Sequence, residues 1–188
     1  MDLGQLLEQS GAILRGHFVL TSGRHSDVYF EKFRVLERPE VLSTLCTEVA
    51  NHYQDRGFDA VAGPTTGGII IAFEVARQLG LPAVYVETEE GRKKLRRNKT
   101  LEPGTKVLVV DDVLTTGTSL LESRAAIEEA GGAVTAYAVL IDRSPAGLDL
   151  GLPLFGAYRV QAESYVEDEM PAWLSAIPAT KPGTRKTA

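Results

Sequence analysis

The chain has 188 residues, 44% of them hydrophobic, and a formal net charge of -5. That length suits one globular domain, 1–188, and the composition supplies a substantial core. The negative balance argues against a protein that grips nucleic acid through its phosphates, which takes a basic surface.

The first residues, Met1-Asp2-Leu3-Gly4-Gln5, lack the basic region and apolar run of a secretory signal. No apolar stretch approaches the roughly 20 residues needed to span a bilayer, so a cytoplasmic protein without membrane contact is expected. Leu3, Leu6, Leu7, Ile13 and Leu14 fall near helical spacing and predict a short opening helix. From His17 to Phe30, two β-prone runs flank Ser22-Gly23, which predicts a hairpin or a pair of short strands. Pro39 starts a second helix running to about Arg56, with Leu42, Leu45, Val49 and Tyr53 on one side. The lone cysteine, Cys46, lies inside it and reads as a small buried hydrophobe; one Cys excludes an internal disulfide and a multi-cysteine zinc site.

From Asp59 short apolar runs alternate with helical segments. Asp59-Ala60-Val61-Ala62 predicts a buried strand, followed by the loop Gly63-Pro64-Thr65-Thr66-Gly67-Gly68 and a helix over about Ile69 to Leu79, with Gly80 as its C-cap. Strands are predicted at Ala83 to Val86, Lys106 to Val110 and Ala133 to Ile141, with a helix from about Thr118 to Ala130. Between them, 87–99 is basic and shows no obvious strand. Such alternation indicates a parallel twisted sheet flanked by helices. Trp173 and Leu174 are expected to anchor a short helix or loop, and 178–188 to form a flexible tail.

One segment carries chemistry. In Val107-Leu108-Val109-Val110-Asp111-Asp112-Val113-Leu114-Thr115-Thr116-Gly117-Thr118-Ser119, a strand ends in two acidic residues and a Thr/Gly loop opens a helix. Ligands of open α/β sheets bind at the carboxyl ends of strands, where this loop must lie. A helix start offers unpaired N–H groups, the Thr and Ser hydroxyls add donors, and Gly117 lets the backbone approach an anion. Two adjacent carboxylates repel phosphate but suit a ribose diol or Mg²⁺. The combination suits a phosphorylated sugar, and neither this loop nor Gly63 to Gly68 ends in the Gly-Lys-Ser/Thr of a P-loop.

The run Val109 to Thr118 resembles the phosphoribosyl-pyrophosphate signature of type I phosphoribosyltransferases. The segment Gly16 to Phe30 resembles the hood of the orotate phosphoribosyltransferases, and the likeness continues to about Ser144. What the resemblance implies is the type I fold, with a small N-terminal hood at 1–38 and a core at 59–143. It implies transfer of ribose 5-phosphate from 5-phosphoribosyl 1-pyrophosphate to N1 of orotate, in a homodimer using Mg²⁺. Carried over residue by residue, Asp111 to Ser119 (with Val113, Leu114, Thr115, Thr116, Gly117 and Thr118) would bind the sugar phosphate, and Thr66 and Gly67 the pyrophosphate. Thr115, Arg143, Tyr29 and Phe30 would meet orotate. Mg²⁺ would arrive with pyrophosphate and could also touch Asp111 and Asp112. Arg92, Lys93 and Lys94 would share the task of a mobile catalytic loop.

This chain departs from many orotate enzymes at Thr21 and in the 63–68 loop, where they carry Lys, and in the basic stretch, which holds no His. The end Ile177 to Arg185 resembles a subgroup ending in a Lys-Pro-Gly-Ser-Arg-like run, often preceded by a Cys pair where this chain has Pro171-Ala172-Trp173-Leu174. The rival expectations are transfer to a purine or uracil, and a regulator that senses the sugar pyrophosphate. His17, His25 and His52 have no evident Ser or Cys partner for a nucleophilic triad.

Overall fold

The structure, a computed structural model, describes residues 2–20, 22–96, 100–160 and 163–182. Thr21, the basic residues Arg97 and Lys99, and the terminal 183–188 of the expected tail lie outside the described residues. In chain order the elements are α1 (Leu3–Gln9), β1 (Ile13–Val19), β2 (His25–Phe30), α2 (Phe33–Leu36), α3 (Pro39–Tyr53), β3 (Ala60–Pro64), α4 (Gly67–Leu79), β4 (Ala83–Glu89), β5 (Arg92–Leu95) and β6 (Lys106–Leu114). They continue with α5 (Thr118–Glu129), β7 (Ala133–Asp142), β8 (Leu154–Arg159), β9 (Ser164–Tyr165), α6 (Ala172–Ser175) and β10 (Ala179–Thr180). The chain divides into two compact units, Arg38–Val160 and Met1–Glu37 with Gln161–Ala188. Among the described residues no helix is long and apolar enough to cross a membrane.

The smaller unit is built on a four-stranded sheet of order β10-β1-β2-β9. Its two ends of chain are tied by polar contacts. His17 donates its Nδ1–H to the carbonyl of Ile177 at 2.8 Å, and its Nε2 shares a 2.6 Å hydrogen bond with Nδ1 of His25. Ser26 donates to the carbonyl of Glu163 at 2.9 Å. Ala179–Thr180, in the segment expected to fray, pairs in parallel with His17 and Phe18 of β1. Two sequence expectations are corrected in this unit. Ile13 and Leu14 leave the opening helix and start β1, because Gly11 at φ 75° turns the chain after Gln9. Trp173 does not anchor α6: it is 53% exposed, and Leu174 alone is buried.

The larger unit is a six-stranded sheet of order β5-β4-β3-β6-β7-β8, all parallel except β5. Its central strands β3, β6 and β7 are buried on both faces over most of their length, which is why β3 and the middle of β6 read as continuous apolar runs. From β3 the chain crosses through α4 to β4 on one side; from β6 it crosses through α5 to β7 on the other. Right-handed crossovers in opposite directions put their helices on opposite faces. Leu120, Ala126 and Ile127 of α5 accordingly pack on Ala60, Ala62, Val107 and Val109, and α3 pairs with α4. The change of direction between β3 and β6 is a topological switch point, where such sheets open a crevice at their carboxyl edge.

Three element boundaries differ from expectation and bear on the site. The acidic pair does not end its strand: β6 continues to Leu114, because β7 supplies partners as far as Asp142. The basic stretch is not an uninterrupted loop. β4 and β5 form an antiparallel hairpin about Glu90-Gly91, both at positive φ, the geometry two-residue hairpin turns prefer. Its charges hid the alternation that buries Val86 and Leu95. β8 is an additional parallel edge strand.

Cys46 is fully buried on α3, and burial pushes its thiol up to about 12. A thiolate-directed aromatic disulfide reagent is therefore expected to leave the native protein unlabelled and to modify one thiol per chain after denaturation. Rapid labelling of the native protein would show that α3 opens.

Candidate active site

Three loops leave the carboxyl edge of adjacent strands. The β3–α4 loop and the β6–α5 loop flank the switch point, and the turn after β7 lies beside the second of them. The backbone N–H of Arg143 donates to the carbonyl of Leu114 at 2.9 Å, which sets Arg143 next to the strand end that leads into Thr115.

Between β6, its loop, the start of α5 and β5 lies a cavity of about 420 Å³. Lys93, Asp111, Val113, Leu114, Thr115, Thr116, Gly117, Thr118, Ser119, Leu120 and Glu122 line it. It thus gathers the Thr/Gly loop and one residue of the acidic pair with one residue of the hairpin. Gly117 makes the turn into α5 at φ 82°, and a Cβ there would sit 2.5 Å from Cδ2 of Leu150. The backbone angle favours glycine, and a Cβ would also displace the Leu150 side chain. The Thr116 and Thr118 hydroxyls lie 3.1 Å apart at the exposed mouth. With the N–H groups of the first turn of α5, they offer the donors an anion needs.

Because β6 runs through the acidic pair, its neighbouring carboxylates point to opposite faces of the sheet. Asp111 points toward α5, is 8% exposed, and is bonded by two donors: the N–H of Asp112 to Oδ1 at 2.8 Å and Ser119 Oγ to Oδ2 at 2.7 Å. Burial raises its pKa above the ordinary carboxylate value, against the lowering effect of Ser119. Asp112 is half-buried on the other face, and its Oδ1 accepts the N–H of Val113 at 2.7 Å. The sequence, read as a strand ending at the pair, did not separate them.

Of the three basic hairpin residues, Lys93 alone reaches the cavity. Alternation along β5 turns Lys93 and Leu95 inward and Arg92 and Lys94 outward. Lys94 lies 3.9 Å from Glu89, and Arg96 lies 3.2 Å from Glu87. Thr66 and Gly67 stand at the start of α4 in the second loop, where the Thr65–Thr66 peptide is cis. That loop is tight: a Cβ on Gly63 would lie 2.0 Å from the carbonyl oxygen of Gly68.

The turn bearing Arg143 is fixed by its neighbour. Asp142 accepts the N–H and hydroxyl of Ser144, at 2.8 and 2.6 Å, and Arg159 at 2.9 Å. Gly156 on β8 makes room, since a Cβ there would come within 2.8 Å of the Asp142 Cβ. Arg159 and Gly156 escaped the sequence reading because β8 did; no motif marks them. Tyr29 and Phe30 belong to the smaller unit, as consecutive residues of β2, so their rings point to opposite faces of its sheet. Phe30 is buried; Tyr29 is half-buried beside Phe18, with ring centroids 5.7 Å apart.

Asp111 and Asp112 are hard oxygen ligands of the kind Mg²⁺ takes, and that ion is commonly held by one or two carboxylates together with substrate phosphates. Among the described residues no group of three or more His, Cys, Asp or Glu side chains could hold a metal ion. Either carboxylate, with a bound phosphate beside it, would supply the oxygen donors such an ion takes.

The parallel sheet with its switch point, the acidic pair near the end of β6 and the Thr/Gly loop that opens α5 define a type I phosphoribosyltransferase fold. A phosphoribosyl transferase domain matches residues 37–161. An orotate phosphoribosyltransferase of Pelotomaculum thermopropionicum is 44% identical over 98% of this chain and 97% of its own, and that of Desulforamulus reducens is 42% identical over the same shares. The crystal structure of orotate phosphoribosyltransferase from Aeropyrum pernix superimposes with a TM-score of 0.73 at 33% identity, covering 85% of this chain and 94% of that one. The chain belongs to the phosphoribosyltransferase family, in its orotate phosphoribosyltransferase group.

Proposed function

We infer that the protein transfers ribose 5-phosphate from 5-phosphoribosyl 1-pyrophosphate to N1 of orotate, giving orotidine 5′-monophosphate and pyrophosphate for pyrimidine synthesis. The observation that carries this is one sheet edge with an anion loop at Thr115–Ser119, an acidic pair at its base and Arg143 beside it. The 5′-phosphate is assigned to Thr115, Thr116, Gly117, Thr118 and Ser119, and the ribose diol to the acidic pair, one hydroxyl to each, Asp111 approaching from the α5 face of β6 and Asp112 from the opposite face. Pyrophosphate is assigned to the loop bearing Thr66 and Gly67, whose small residues leave its backbone N–H groups approachable. Arg143, with Thr115 beside it, is assigned to the base, because a planar guanidinium pairs bidentately with the orotate carboxylate. Tyr29 is proposed as the aromatic beside the pyrimidine, and Phe30 as a packing residue of β2.

The C1–O bond to pyrophosphate breaks as positive charge develops on the ribose, so the protein contributes position and charge rather than a covalent partner. The acidic carboxylates hold the diol while charge builds on the sugar ring. Mg²⁺, when bound, neutralises charge on the departing pyrophosphate. The outward Arg92 and Lys94 are proposed to meet that group from the solvent side. A homodimer in the cytoplasm, which the family resemblance implies, belongs to the same proposal.

Base choice tests the assignment. With the sugar pyrophosphate and Mg²⁺ fixed, orotate is expected to be consumed with a kcat/KM on the order of 10⁴-fold above that for uracil, since a buried site built for a polar group rejects the analogue lacking it. Equal turnover of uracil, or preference for a purine, would assign the enzyme to another base.

A further inference from the structure

We propose that Lys93 is a positioning residue for the acidic pair, acting through Ser119 to orient Asp111 and the first turn of α5. The proposal rests on the assignment of Asp111 and Asp112 to the ribose diol.

Lys93 sits on an edge strand rich in charge, yet its side chain is only 11% exposed. Its ammonium donates to the Ser119 carbonyl at 2.9 Å, to Ser119 Oγ at 2.6 Å and to Ser123 Oγ at 3.3 Å. An ammonium has three N–H donors and no acceptor, so these partners satisfy it. Ser119 Oγ in turn lies 2.7 Å from Asp111 Oδ2. Direction follows from chemistry: lysine only donates, an ionised carboxylate only accepts, so the single Ser119 hydroxyl hydrogen must point at Asp111. The result is a fixed series, Lys93 Nζ–H to Ser119 Oγ–H to Asp111.

A buried cation at this place is costly twice over. Burial lowers the pKa of Lys93 despite the raising effect of Asp111 and Glu122, and the N-terminal end of α5 is the positive end of its dipole. The same costs make the arrangement favourable to anions. The ammonium adds positive charge to the cavity wall that holds the Thr/Gly loop, and it locks the Ser119 hydroxyl away from competing acceptors. The charged groups around Asp111 are Asp112 on its own strand, Lys93 on β5 and, beside Lys93 at 3.7 Å, Glu122 on α5. Asp112 opposes ionisation of Asp111; Lys93 and Ser119 favour it.

The test uses the full-length enzyme with Lys93→Met, Ser119→Ala and the double variant, comparing kcat and both KM values. Lys93→Met is expected to lower kcat roughly 10-fold with KM for orotate unchanged. Ser119→Ala is expected to lower kcat in the same way, and the double variant to lose no more than the larger single loss. Lys93→Arg, which keeps charge and donors, is expected to restore part of kcat. A Lys93→Met enzyme with wild-type kcat overturns the inference, as do additive losses in the double variant or a Lys93→Arg enzyme no better than Lys93→Met. Loss of the native melting transition in Lys93→Met moves the decision to Ser119→Ala alone: wild-type kcat there overturns the inference equally. Wild-type enzyme that does not consume orotate sinks the functional assignment instead, so the two failures are distinct.

Discussion

Gly117→Val is expected to abolish binding of 5-phosphoribosyl 1-pyrophosphate while the protein still folds. Gly117 holds φ 82°, and a Cβ added there would push aside the Leu150 side chain, whose Cδ2 would lie 2.5 Å away. Left-handed backbone at a non-glycine residue costs about 1–3 kcal/mol. Turning the Leu150 side chain leaves that cost in place, and the loop relieves it by changing course. That response removes the alignment of Thr115, Thr116 and Thr118 with the N–H groups of α5, and a shift of about 1 Å in such a site costs about 100-fold in rate. Calorimetric titration with the sugar pyrophosphate, beside a melting curve, checks it. Wild-type affinity in a folded Gly117→Val protein would mean that the phosphate does not sit on this loop.

Arg143→Ala is expected to raise KM for orotate while leaving KM for the sugar pyrophosphate unchanged. A hydrogen bond to a charged group contributes about 1.5–3 kcal/mol, which corresponds to a rise of roughly 10–100-fold. Arg143→Lys should recover little, because an ammonium keeps the charge but not the planar two-donor fork. The backbone supports the specificity of the effect. Arg143 is placed by its N–H bond to Leu114 and by the Asp142 turn, which Ser144 and Arg159 hold. Initial-rate kinetics with each substrate varied in turn decide the matter. A rise in both KM values would point to a disturbed loop rather than a lost carboxylate partner.

The sheet and its Thr/Gly loop were legible in the sequence because their physics is local. Buried parallel strands such as Ala60–Ala62 and Val107–Val110 must be apolar throughout, and Gly117 between threonines marks a turn that only glycine makes. The family-bearing motif follows from the same residues. What the sequence did not display depends on partners distant in the chain. β6 extends past the acidic pair only because β7 runs beside it to Asp142, and that extension sends Asp111 and Asp112 to opposite faces. The hairpin of β4 and β5 was hidden by charge, since Glu87 and Glu89 find Arg96 and Lys94 across the turn. Lys93 looked like one of three equivalent loop cations until alternation along β5 turned it toward Ser119. Trp173 looked like an anchor because tryptophan usually is one, whereas the short α6 buries only Leu174. Tyr29 and Phe30 form a pair in sequence but are divided by the pleat of β2.

The most direct test of the central claim is the ultraviolet absorbance of orotate followed in the presence of Mg²⁺ and 5-phosphoribosyl 1-pyrophosphate, with wild-type enzyme beside Asp112→Asn. The wild type is predicted to consume orotate and to release one pyrophosphate per orotidine 5′-monophosphate formed. The Asp112→Asn enzyme, nearly the same shape but without that carboxylate charge, is predicted to lose about 100-fold or more of the rate. No orotate consumption by the wild type, or undiminished consumption by Asp112→Asn, would contradict the account.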